Sequence, residues 1–190
     1  MKTATLLLMA TLAIMTVGCS DDSALPVSPT DQSGQAPTLL GKISTTEFTA
    51  QVWPIGLIAE PITKFPDGKV MVKGIRQPVM VTAVFGSSPD LLTGTGEVEI
   101  NGLSDYNAGV GQWYGKLTIT PDVGGVWEFT FHGTATLDWG TLEWTIPLKE
   151  EGHGKGGSLT GMQCRMENII TANFMLNSWT GAAQGVITSH

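Results

Sequence analysis

From about residue 44 onward, apolar and polar positions alternate with a period of two. Residues 47–53 alternate. Residues 54–66 form a proline-punctuated loop, and Asp67-Gly68 marks a turn. Val70 and Val72 then alternate with Met71 and Lys73, and a strand or strand pair continues through residues 79–85. Pro78 inside this run predicts an edge or a break. Val98 and Ile100 share a face opposite Glu97 and Glu99. Trp113, Gly115, Leu117 and Ile119 oppose Tyr114, Lys116, Thr118 and Thr120. Trp127, Phe129 and Phe131 oppose Glu128, Thr130 and His132. Leu142, Trp144, Ile146 and Leu148 oppose Thr141, Glu143 and Thr145. A further strand is expected over 158–168, and two short ones near 169–176 and 182–188. Successive side chains of a strand point to opposite faces, so each run has one face to bury.

No segment sustains the three-and-four spacing of an amphipathic helix. The pattern predicts an all-β domain over residues 41–190, an antiparallel meander of about eight or nine strands. Closing the meander into a barrel removes its two exposed edges. A two-sheet sandwich is the alternative. Even strand spacing, with glycines at strand ends and inside strands, favours the barrel.

Gly111-Gln112-Trp113 and Gly125-Val126-Trp127 resemble the Gly-x-Trp sequences of calycin barrels such as lipocalins and avidins. The glycine-punctuated meander, with Gly154-Lys155-Gly156-Gly157-Ser158-Leu159-Thr160-Gly161, is similar to allene oxide cyclase-type barrels of secreted bacterial proteins. The resemblance spans about residues 45–188 and implies a barrel fold. No motif in it carries a catalytic residue across.

The chain has six tryptophans. Trp113, Trp127 and Trp144 fall on apolar strand faces. They either pack the core or, with Met162, line a ligand pocket in the barrel. Trp53, Trp139 and Trp179 lie off those strand centres and are expected at the rim or surface, where they would suit stacking on a saccharide or a partner.

Residues 1–18 differ from everything after them. Lys2 precedes an apolar run that ends in small residues before Cys19. This is the layout of a secretory signal. At 15 residues, the stretch 4–18 is short for a membrane span, which needs roughly 20 apolar residues. Thr16-Val17-Gly18-Cys19 resembles the lipobox of bacterial lipoproteins, with Thr16 where that family usually has an aliphatic residue. The resemblance implies cleavage before Cys19 and lipidation of its sulfur. It places the protein in the bacterial cell envelope, anchored to the outer membrane on its periplasmic or outer face. Ser20-Asp21-Asp22 looks like a surface-export signal of such proteins, or is simply the polar start of a linker. Residues 19–40 then read as the lipidated cysteine and a tether rich in Ser, Asp and Pro. A flexible chain of that length averages roughly 25 Å end to end.

Charge narrows the partners. The formal net charge is −7, and loss of residues 1–18 removes Lys2 and no acid, leaving −8. No basic run offers a footprint for nucleic acid. The three histidines form no H-x-x-x-H or H-x-H pair, so no metal or other cofactor is expected. The loop 152–158 lacks the order of a phosphate-binding loop. No G-x-S-x-G occurs, and Glu97, Glu99, Glu128 and Glu143 face outward by alternation. With Cys19 lipidated, Cys164 is left unpaired, and its alternation with Met162 and Met166 predicts a buried, inert thiol. The expected role is a non-catalytic binding or interaction module. The alternatives are a carrier of a small apolar ligand inside the barrel, and an enzyme whose site the sequence does not reveal.

Overall fold

The computed structural model describes residues 43–56, 63–86, 88–173, 176 and 178–189. The segment expected to be a signal, Cys19 and the expected tether lie outside the described residues. The described residues form nine strands: β1 (Ser44–Pro54), β2 (Thr63–Lys64), β3 (Lys69–Gly86), β4 (Gly94–Asp105), β5 (Val110–Pro121), β6 (Val126–Asp138), β7 (Glu143–Lys155), β8 (Gln163–Asn173) and β9 (Ser178–Ser189). All pairings are antiparallel, in the order β1-β9-β8-β7-β6-β5-β4-β3-β2. A further pairing of β1 with β3, from Phe48↔Gly86 to Pro54↔Val79, closes eight of the strands into a barrel. The short β2 pairs with the start of β3 and sits outside the closed ring. The barrel is the expected fold, and the sandwich is not formed.

Alternation gives the barrel an inside and an outside. Along β7, Trp144, Ile146, Leu148, Glu150 and Gly152 are buried, while the odd-numbered residues between them are exposed. In β8 the buried set is Cys164, Met166, Asn168, Ile170 and Ala172. Three details depart from the sequence reading. Pro78 does not break its strand; it lies within β3, where β1 ends and its own carbonyl accepts from Ile55 N at 3.0 Å. A bulge at Lys73-Gly74 shifts the phase of β3, so Val72 and Ile75 are both buried. Gly74 takes φ +64 there, and its N–H donates to Asn101 Oδ1 at 2.9 Å. The expected strand over 158–168 begins only at Gln163 and absorbs the short strand near 169.

The two ends of the barrel differ. One end carries Ser44 and Ser189, which are register partners, with the β3–β4, β5–β6 and β7–β8 connections. Its inner floor is packed solid. Leu92, Ile119, Trp127, Phe129, Leu159, Cys164 and Ile187 are all buried. Trp127 and Phe129 stack with ring centroids 5.7 Å apart, and the Trp127 indole N–H donates to the Leu91 carbonyl at 2.7 Å. Gly152 makes room for this layer, since a Cβ there would come within 2.3 Å of the Phe129 ring. The other end carries the β1–β3, β4–β5, β6–β7 and β8–β9 connections.

Trp127→Ala should therefore damage the floor most. Removing a fully buried indole costs about 3–5 kcal/mol. We expect the urea midpoint of the variant to fall accordingly, with any residual structure still all-β by circular dichroism.

Candidate functional site: an apolar cavity with a polar inner end

Above the floor the barrel is not filled. A cavity of about 410 Å³ runs towards the end with the β1–β3 connection. Its wall is mostly aliphatic and aromatic. The lining includes Val72 and Ile75 of β3, Val98 and Ile100 of β4, Trp113 and Leu117 of β5, Phe131 of β6, and Ile146 and Leu148 of β7. Lys64, Phe65, Gly68 and Lys69 of the β2–β3 hairpin lie at the mouth. Lys69 is occupied by Asp67, its Nζ 2.7 Å from the carboxylate, which raises the lysine pKa and lowers that of the aspartate.

The strand directions define the cavity's depth. On β7 the last lining residue before the floor is Glu150; on β8 it is Asn168. On β6 it is Phe131, on β5 Leu117 and on β4 Val98. Glu150 and Asn168 thus stand at the inner end, one step above Gly152, Cys164 and Met166.

Four polar or charged side chains are buried among the described residues: Gln77, Ser104, Glu150 and Asn168. Two of them serve tryptophans. Ser104 Oγ accepts from the Trp113 indole at 3.1 Å, and Gln77 Oε1 accepts from the Trp179 indole at 2.8 Å. The Gln77 amide in turn donates to the Gly56 carbonyl at 2.8 Å. The other two serve each other. Asn168 Nδ2 donates to Glu150 Oε1 at 2.9 Å. Both residues are only 2% exposed, and Glu150 Oε2 and Asn168 Oδ1 have no hydrogen-bond partner. A buried polar atom left in that state is costly.

Burial pushes the Glu150 carboxyl up to about 7, and the hydrogen bond from Asn168 partly opposes this. The Cys164 thiol is also pushed up, by its own burial and then by the Glu150 charge. It stays protonated and unreactive at neutral pH. At the mouth end, the Tyr106 phenol is half-buried, its ring edge-on to Trp144 at 5.2 Å, and burial raises its pKa.

The structure separates the residues singled out from sequence. Trp113 lines the cavity. Trp127 belongs to the floor, and Trp144 packs under Tyr106; both are sealed from the cavity space. Met162 is half-buried against the core near the β7–β8 connection and does not line the cavity. Trp179 lines the cavity near the mouth, which the sequence reading placed at the rim or surface. Trp139 is exposed. The outward carboxylates are surface groups: Glu97 and Glu99 lie beside Arg76, Glu128 pairs with Lys155, and Glu143 is exposed. Glu150 and Asn168 were not singled out, although their parity within β7 and β8 places both on the apolar face.

No protein family, curated protein or solved structure matches this chain.

The Glu150 carboxyl makes stability depend on pH in a definite sense. Its folded pKa is raised from 4.5 to about 7, so the folded state holds this proton more tightly than the unfolded state. Its contribution is neutral below the unfolded value. It becomes increasingly unfavourable as pH rises towards 7, then stays constant. Glu150→Gln removes that penalty. We expect the variant to exceed the parent by on the order of 3 kcal/mol at about pH 8, and to converge on it near pH 4. Urea midpoints across that range measure the difference; a constant gap would contradict it.

Proposed function

We propose that this protein binds and carries a small apolar ligand inside its barrel, without catalysis. The observation that carries the reading is the cavity itself: about 410 Å³ behind a mouth at one end, with an almost wholly apolar wall. Ligand pockets commonly enclose about 300–1,000 Å³ and combine apolar walls with a few placed polar groups. Closely packed interiors leave few voids larger than a water molecule, so open space on this scale is a departure that packing alone does not explain. The same wall argues against a saccharide, which needs many hydrogen-bonding partners.

The reading extends to location through the sequence of residues 1–19. Lipid on Cys19 would hold the carrier at the bacterial envelope, and stable anchoring takes at least two acyl chains. The membrane contact is then made by the lipid. The acidic domain adds no electrostatic attraction to an anionic surface.

Two measurements test the proposal. An environment-sensitive apolar dye should bind the purified protein with increased emission and at one site per chain. Val98→Trp, which drives an indole into the cavity, should abolish that binding while circular dichroism stays all-β, at about 1–3 kcal/mol of stability for overpacking. Unchanged dye binding in this variant would place the site elsewhere. For the anchor, Cys19→Ala should lose all incorporation of a tagged fatty acid and leave the membrane fraction; equal labelling of variant and parent would sink the lipidation.

A further inference from the structure

We propose that the ligand is an apolar amine, its ammonium group seated at the inner end of the cavity and donating to both Glu150 Oε2 and Asn168 Oδ1. This rests on the carrier reading above and specifies what is carried.

The argument begins with what the protein leaves unmet. Of the buried polar side chains, Gln77 and Ser104 are each engaged by a tryptophan N–H. Glu150 and Asn168 have only each other, and the two atoms left over are both oxygens. They lie on neighbouring strands, at the deepest lining positions of β7 and β8. An unmet oxygen of a carboxylate and an unmet oxygen of a carboxamide, within one hydrogen-bonded pair, call for a group that donates twice.

Charge selects among donors. The groups that face Glu150 from β6 are Phe131 and Phe129, and from β8 Met166, Cys164 and Asn168. Of these only the Cys164 thiol titrates, and it stays neutral. Elsewhere on the cavity wall the titratable groups are Tyr106, Lys64 and Lys69, all towards the mouth, with Lys69 already bonded to Asp67. No described cation reaches the inner end. The bond from Asn168 Nδ2 favours the ionised carboxylate, so the site is half built for an anion with no counter-ion. An ammonium supplies the missing charge and two N–H donors, and hydrogen bonds of that kind are about twice as strong as neutral ones. A carboxylate ligand would meet like charge. An alcohol could bridge the two oxygens only with Glu150 protonated, so it would gain no charge-assisted bond.

Calorimetric titration of the purified protein with decylammonium, decanol and decanoate, at about pH 6 and about pH 8, separates these cases. We expect decylammonium to bind more than about tenfold more tightly than decanol at the higher pH. Its affinity should fall at the lower pH, where binding should release up to one proton, read from buffers of different ionisation enthalpy. Glu150→Gln should abolish the amine preference. The proton release is measured on the unaltered protein, so the test does not depend on that variant's folding. Equal binding of amine and alcohol, or tightest binding of decanoate, would overturn the amine while leaving the carrier intact. Failure of all three probes to bind would overturn the carrier reading itself.

Discussion

The structure depends on the pairing of β1 with β3. Of the other pairings, all but that of β1 with β9 join strands that follow one another in the chain, and with either of the two pairings of β1 missing the sheet would be an open ribbon with an apolar face and nothing to bury it against. Because β1 pairs with β9 on one side and β3 on the other, the inner faces of eight strands are forced to share one volume. The first part of β3 runs on past the end of β1, so the ring is least complete beside the β1–β3 connection. The cavity's mouth lies at that same end, with β2 and its hairpin at the lip.

A shared volume has to be filled or left open, and this barrel does both along its length. At the floor, large rings interlock and glycines on facing strands clear space for them, as Gly152 does for Phe129. Towards the mouth the inner positions hold Val, Ile and Leu beside Trp113, Phe131 and Trp179, and the space is not closed. Glu150 and Asn168 mark the level at which packing stops. Hydrophobic residues at both positions would extend the floor and remove two unmet polar atoms. Replacing buried ionic groups with well-packed apolar ones is often stabilising. A carboxyl retained at that level works against the stability of the fold, and local exceptions of this sort concentrate where proteins bind or react.

Much of this was legible in the chain. Period-two alternation with glycine-bearing turns identified the strands and their inner faces, and gave Trp113, Trp127 and Trp144 their inward direction. It could not say how deep each ring would sit. Depth is set by strand stagger around the closed ring, which is why Trp127 became floor, Trp144 was covered by Tyr106, and Trp179 joined the wall. The bulge at Lys73-Gly74 hid the phase of β3 because the alternation before and after it is out of step. The polar pair did leave a signal: Glu150 continues the series Trp144, Ile146, Leu148, and Asn168 the series Cys164, Met166. A charged or amide residue on the apolar parity of a strand is the trace to follow. That the two would meet required the register of β7 on β8, which no single strand encodes.

The placement of the chain ends also sets how the fold would respond to force. Ser44 and Ser189 face each other across an antiparallel pair, at the same end of the barrel. Tension between the two ends would load the β1–β9 ladder one rung at a time, peeling it like a zipper, and would never strain all its hydrogen bonds together. Load applied between Ser44 and the mouth-end turns would instead run along the strands and pull many rungs in shear. The barrel is thus mechanically soft across its own termini and stiff along its axis, whatever its thermodynamic stability.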